Sequence, residues 1–197
     1  MEDIRICFIG DSLTNGAADP TYLGWPGRVC ADAASKGHLV TYYNLGVRRD
    51  SSADILERWE SEIQSRVSKE YDNRLVFAFG ANDTTIVDGR PRASPEDSEA
   101  NARRILEKAA STYPTLMIGL APNTDAEDCA RMEALSEVYE GVCAEVGVPF
   151  LSVFQSLSHT EVWMKEIGLV DGSHPSAAGY AALADLIISW PQWWFHA

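Results

Sequence analysis

Ile4-Arg5-Ile6-Cys7-Phe8-Ile9-Gly10-Asp11-Ser12 decides the fold. Its apolar run, Ile4–Ile9, reads as a buried strand closed by a Gly-Asp turn, and Ser12 opens the loop or helix that follows. Working outward, Trp25–Lys36 reads as a helix with Pro26 near its start and Gly37 after its end. Val40–Leu45 is a second strand. Ser52–Val67 carries Ile55, Leu56, Trp59 and Ile63 on one helical face. Leu75–Phe79 is a third strand, and Pro95–Tyr113 a helix with Ser94 as its N-cap. Leu116–Leu120 is a fourth strand, Ala126–Val146 a long helix and Phe150–Val153 a short fifth strand. Phe154–Gly168 is mixed, with room for a short helix, and Pro175–Ser189 closes the chain as a helix. Strands and helices in strict alternation predict an α/β domain: a parallel sheet with right-handed crossovers and helices on both faces. Residues 1–197 are expected to form one such domain, without repeats or a linker. The longest irregular piece, Ala81–Ser94, is of a length more often functional than idle.

Composition narrows the function. The chain has 197 residues, with 16 Lys and Arg against 29 Asp and Glu, a net charge of −13. Nucleic-acid binding needs a basic footprint, so nucleic acid is not expected as a partner. The same field repels anionic membrane surfaces. No apolar run reaches the ~18 residues of a membrane span, so no stable membrane anchor is expected. Acids at Glu2 and Asp3 stand where a signal peptide carries bases, which favours a cytoplasmic location. Cys7, Cys30, Cys129 and Cys143 show no metal-like spacing and read as reduced thiols, a Cys129–Cys143 pairing being left open.

In open parallel sheets, sites lie beyond the carboxyl ends of the strands. Here those ends are Gly10-Asp11-Ser12, Asn44-Leu45-Gly46 and Gly80-Ala81-Asn82-Asp83. Near the C-terminus, Asp171-Gly172-Ser173-His174-Pro175 brings an Asp and a His within one turn. Such an Asp can fix the imidazole tautomer and leave the other ring nitrogen free as a base. Ser12 needs an adjacent base to act as a nucleophile, and His174 suits better than His38, His159 or His196. Oxyanion donors are available from the Ser12 and Gly46 amides and the Asn82 side chain. Each residue alone has a plainer reading: Ser12 as a helix N-cap, Gly46 as a turn, Asn82 in an Asx-turn, Asp171 and His174 as capping polarity. The coincidence of Ser12, Gly46 and Asn82 at successive strand ends, beside the Asp171–His174 turn, favours acyl-transfer chemistry.

Gly10-Asp11-Ser12-Leu13, Gly46, Gly80-x-Asn82-Asp83 and Asp171-x-x-His174-Pro175 resemble, in order and spacing, the four blocks of the SGNH/GDSL esterase–lipase family. The resemblance implies a flavodoxin-like three-layer α/β/α sandwich with a five-stranded parallel sheet. It also implies a serine hydrolase acting on a small-molecule carboxylic ester. By position, Ser12 is then the nucleophile, His174 the general base and Asp171 its orienting partner, with Ser12, Gly46 and Asn82 forming the oxyanion hole. Asp11 and Asp83 brace their loops. Such enzymes need no cofactor and no metal.

The second block departs from the family's usual Asn-x-Gly-x-Ser-Gly, because Arg48-Arg49 follows Val47 and Arg49 takes the place of the second glycine. Both arginines are expected to pair with Asp50, Asp54 or the Asp88/Arg90 loop, with contact to an anionic substrate as the sharper reading. A divalent metal on Asp11, Asp83, Asp171 and His174 leaves Ser12 and Asn82 unexplained, and no second His stands at ligand spacing. Trp190, Trp193, Trp194 and Phe195 crowd the tail. They read as packing on the domain or on a second copy of the chain, a homo-oligomer, or else as an aromatic patch for acyl chains. The loops Ala18–Gly24, Thr84–Ser94, Asn123–Asp128 and Ser156–Gly168 are expected to shape the pocket. A short chain leaves little room for a lid, which favours short acyl esters, acetylated carbohydrates or lysophospholipid-like substrates. The same triad serves acyl transfer and thioester cleavage. A non-catalytic binding module of this fold predicts a damaged motif, which this chain lacks.

Overall fold

The computed structural model of the chain describes residues 3–196; Met1, Glu2 and Ala197, the extremes of the expected domain, lie outside them. In chain order the elements are β1 (Ile4–Gly10), α1 (Ser12–Asn15), α2 (Gly24–Ser35), β2 (Val40–Gly46), α3 (Ser52–Ile63) and β3 (Asp72–Ala78). Then come α4 (Ala81–Thr84), β4 (Ile86–Val87), β5 (Arg90–Pro91), α5 (Pro95–Ala110), β6 (Thr115–Ile118) and α6 (Ala126–Val146). β7 (Phe150–Leu151), α7 (Phe154–Ser158), α8 (Glu161–Val170) and α9 (Ala177–Ile188) complete the order.

β2-β1-β3-β6-β7 form a five-stranded sheet, parallel throughout. β1 shows why its sequence is continuously apolar. Successive side chains point to opposite faces, so Ile4, Ile6 and Phe8 enter one core and Cys7 and Ile9 the other. On the first face they meet α2, α8 and α9 through Trp25, Trp163, Ile167 and Tyr180. On the second they meet α3, α5 and α6 through Ile55, Trp59, Ile105 and Tyr139. Edge-to-face pairs fix both cores, Phe8 with Trp25 at 5.3 Å and Trp59 with Phe77 at 5.6 Å between ring centres. The result is the expected three-layer sandwich.

The chain leaves β1 for β2 on one side and later returns to place β3 on the other. This reversal opens a crevice at the carboxyl ends of β1 and β3. Register aligns Gly10 with Gly46 and with Ala78, so the three following segments start level.

Several boundaries differ from the sequence reading. α3 stops at Ile63, four residues before Val67; beyond it the N–H groups of Arg66 and Val67 share the Ile63 carbonyl in one closing turn. β3 begins at Asp72, its polar start carried by pairing with β1. Ala81–Ser94 is not irregular: it holds α4 and the β4–β5 hairpin. Asp88 and Gly89 turn that hairpin, both with positive φ (51° and 77°), as a two-residue Asp-Gly loop requires. The mixed segment after β7 holds two helices, α7 and α8. All four cysteines are free thiols. Trp190, Trp193 and Phe195 are buried in the α2/α9 core, and the Arg74 guanidinium lies 5.2 Å from the Trp194 ring, so the tail packs on its own sheet. Among the described residues no helix is long and apolar enough to cross a membrane.

Candidate active site

Asp11, and not Ser12, caps α1: its carboxylate accepts the Leu13 N–H at 3.0 Å. Ser12 is thereby the first helical residue, with its hydroxyl released from capping. The turn into it requires Gly10, since a Cβ there would lie 2.1 Å from the Ala78 carbonyl oxygen and 2.2 Å from Thr14 Oγ1.

Ser12 Oγ lies 2.7 Å from His174 Nε2, and His174 Nδ1 lies 2.7 Å from Asp171 Oδ2. The other Asp171 oxygen accepts the N–H groups of His174 (2.8 Å) and Ser173 (3.0 Å), which locks the short turn. Burial pushes the Asp171 carboxyl up, but the bonds from the His174 ring and from the His174 and Ser173 backbone outweigh it. The net position is below the usual carboxylate range. Gly172, at φ +86°, lets the turn pass Thr124, whose Oγ1 lies 2.6 Å from where a Cβ would stand. A hydroxyl, an imidazole and a carboxylate joined in this order can carry a proton from oxygen to ring and stabilise the cation formed.

Asn82 enters from α4, directly after Gly80. Its Nδ2 donates to the Asp50 carbonyl at 3.0 Å and stands 3.5 Å from Asp11 Oδ2, so the loop after β2 holds the amide in place. Asp83 is buried and faces away, accepting the Ser52 N–H at 2.7 Å and the Tyr139 hydroxyl at 3.4 Å. Asp11 is buried too. Desolvation pushes its carboxyl up to about 7, the Leu13 N–H offsetting part and the charges of Asp83 and Asp50 adding to the rise.

Gly46 is positioned differently from the sequence expectation. Its N–H donates to Asn44 Oδ1 at 3.0 Å, and a Cβ on it would lie 2.2 Å from the Asn15 nitrogen. Its place in the fold is the close approach of β2 to α1, with its amide already engaged. Arg49 adopts φ +73°, the left-handed conformation that glycine takes at low cost. The ion pairs expected of Arg48 and Arg49 are not formed, because Asp50 binds Arg58 at 2.6 Å and Asp54 binds Arg92 at 3.4 Å. Both Arg48 and Arg49 are exposed.

Ser12, His174 and Asn82 line a cleft of about 110 Å³ together with Asn123, Asp128 and Met132. Asp128 accepts from Asn123 Nδ2 (2.7 Å), Thr84 Oγ1 (2.9 Å) and Arg131 (3.1 Å), making one wall polar. Of the four loops expected at the pocket, the second and third contribute, through Thr85, Asn123 and Asp128; Ala18–Gly24 and Ser156–Gly168 do not. Met132 escaped the sequence reading, since a methionine inside a helical pattern reads as core. Asp11, Asp83, Asp171 and His174 do not converge: among the described residues no group of three or more His, Cys, Asp or Glu side chains is arranged to hold a metal.

Residues 8–182 match the model of the GDSL-like lipase/acylhydrolase family. The lipase/acylhydrolase from Enterococcus faecalis superposes with a TM-score of 0.77 at 25% identity, covering 95% of this chain and 93% of that one. A catalytic mutant of Axe2, an acetylxylan esterase from Geobacillus stearothermophilus, superposes with a TM-score of 0.76 at 17% identity. That match covers 95% and 94% of the two chains and bears on the fold alone. An uncharacterized Bacillus subtilis (strain 168) protein, YpmR, is 33% identical over 84 residues, 42% of this chain; the match spans about a third (32%) of YpmR. Fold, ordered sequence blocks and family model agree, and the chain belongs to the GDSL-like lipase/acylhydrolase family of ester-bond hydrolases.

Proposed function

We propose that the chain is a serine esterase that cleaves a short acyl group from a polar alcohol through an acyl-enzyme on Ser12. The observation that carries this reading is the unbroken line of 2.7 Å contacts from Ser12 Oγ through His174 to Asp171. His174 takes the Ser12 proton as the oxygen attacks the ester carbonyl, and Asp171 stabilises the imidazolium. The charge that develops on the carbonyl oxygen is met by the Asn82 Nδ2–H and by the Ser12 N–H, which as the first helical amide has no carbonyl partner within α1. His174 then returns the proton to the leaving alcohol. A water activated by the same imidazole releases the acid and restores Ser12.

Substrate size follows from the cleft. At about 110 Å³ it is small beside the roughly 300–1,000 Å³ that drug-sized ligands occupy, which favours an acetyl or similarly short acyl group. Asn123 and Asp128 on one wall supply acceptors and donors for the hydroxyls of the alcohol, as on an acetylated carbohydrate. The test is initial rates on p-nitrophenyl esters of acyl chains from two to twelve carbons. Rates should fall steeply beyond about four carbons. A maximum at eight or more would overturn the short-acyl reading.

A further inference from the structure

Arg58 sits in the middle of α3, away from all four sequence blocks, yet its guanidinium reaches three acceptors at once. Nη2 donates to the Gly10 carbonyl at 3.0 Å, Nε to Asp50 Oδ2 at 2.6 Å and Nη1 to Glu62 Oε2 at 3.0 Å. The side chain is only 17% exposed and its Asp50 partner 14%. Gly10 is two residues before Ser12. Asp50 offers its side chain to Arg58 and its backbone carbonyl to Asn82 Nδ2, at 3.0 Å. One planar cation therefore ties the strand end that carries the nucleophile to the loop that seats the Asn82 amide.

We infer that Arg58 is a positioning residue for catalysis, setting the Asn82 amide against Ser12 through Asp50 and Gly10; this rests on the proposed role of Asn82. The shape of the side chain matters. A guanidinium fork satisfies two diverging acceptors in fixed geometry, whereas a lysine ammonium on a flexible stem holds one well. Without the fork, Asp50 keeps a half-buried charge with no partner, and the loop that holds Asn82 is free to shift. An oxyanion donor displaced by about 1 Å loses much of its effect on the barrier.

The test compares kcat and KM on p-nitrophenyl acetate for Arg58→Met and Arg58→Lys, each alone and combined with Asn82→Ala. Arg58→Met should lower kcat about 10–100-fold with KM within about twofold, a smaller loss than the ~10²–10³ of removing a donor outright. Arg58→Lys should recover part of it. In the Asn82→Ala background Arg58→Met should cost less than about threefold, because both changes remove the same contribution. An unchanged kcat in folded Arg58→Met, or an equal loss with and without Asn82, overturns the inference. Should Arg58→Met fail to fold, Asp50→Asn weakens the same link with Arg58 intact. It should lower kcat about 3–10-fold in the parent and leave Asn82→Ala unchanged; equal losses in both overturn the inference. Ser12→Ala, run alongside, reports separately on the underlying reading. Activity there sinks the serine mechanism, while additive Arg58 effects with Ser12→Ala inactive sink only the positioning role.

Discussion

Asp11 and Asn82 meet across the crevice, the Asn82 amide nitrogen 3.5 Å from a carboxylate oxygen of a residue that is 4% exposed. Asp11 does two things with one side chain. It caps the single-turn helix that carries Ser12, and it lies behind the amide proposed to receive the oxyanion. A charge in that position is costly to bury, and this cost makes a prediction about stability.

With its carboxyl pushed up to about 7 in the folded state against roughly 3.9 unfolded, Asp11 holds its proton more tightly when folded. Over that interval the native state binds more protons, so the stability tied to this group is present below about pH 4 and is lost as pH rises to about 7. Asp11→Asn removes the titration. Between pH 5 and 8 its stability relative to the parent should improve by about 2–3 kcal/mol, read from urea midpoints at both values. A constant difference would contradict the assignment of the charge cost to Asp11.

Asp19 behaves oppositely. Its side chain is fully buried and paired with Arg28 at 2.5 Å, and it accepts the N–H groups of Thr21 (3.0 Å) and Gly24 (2.8 Å). Burial pushes this carboxyl up, but the Arg28, Thr21 and Gly24 bonds win and hold it well below the usual range. Its contribution is therefore present above about pH 4 and lost as pH falls below that. Asp19→Ala leaves Arg28 without its partner and should cost about 3–5 kcal/mol, measured as a lower denaturant midpoint at pH 7.

The three strand-end segments were legible because each is local: a strand period, a Gly turn and a polar residue fall within a few positions. The pairing of Ser12 with His174 followed from chemistry, since a serine needs a base and the Asp171–His174 turn supplies one. What stayed hidden depends on contacts distant in sequence. That Asp11 caps α1 and frees Ser12, or that the Gly46 amide turns to Asn44, is set by backbone angles that no residue pattern encodes. Arg58 reads in sequence as one more solvated charge, four residues before Glu62. Only the packing of α3 under the end of β1 brings it to Gly10.

Gly46→Ala separates packing from chemistry at that position. The new Cβ would stand 2.2 Å from the Asn15 nitrogen, a contact with backbone that cannot swing aside. The variant should lose about 1–3 kcal/mol of stability, read from urea unfolding. Parental stability with a large fall in kcat would instead restore a direct catalytic role for Gly46.

Arg48 and Arg49 are exposed beside the Asn82 loop, and among the described residues neither forms an ion pair. If they meet an anionic substrate, Arg48→Ala and Arg49→Ala should raise KM several-fold on a carboxylate-bearing ester and leave a neutral ester of equal length unchanged. The effect should fade at high salt, as for exposed charges. Equal changes on both esters would sink the anionic-substrate reading.

Asp171→Asn keeps the shape of the triad and removes the charge that orients His174. The kcat on p-nitrophenyl acetate should fall about 10³–10⁴-fold with the protein folded. A loss below tenfold would assign Asp171 to the turn alone, through its bonds to the His174 and Ser173 amides.

Whether Ser12 is the nucleophile is decided by Ser12→Ala on p-nitrophenyl acetate, measured beside the parent after near-UV circular dichroism has shown the variant folded. Removing the hydroxyl 2.7 Å from His174 should reduce kcat by about 10³-fold or more and abolish labelling by a serine-directed phosphonate. A folded Ser12→Ala variant within tenfold of the parent rate would contradict the serine mechanism.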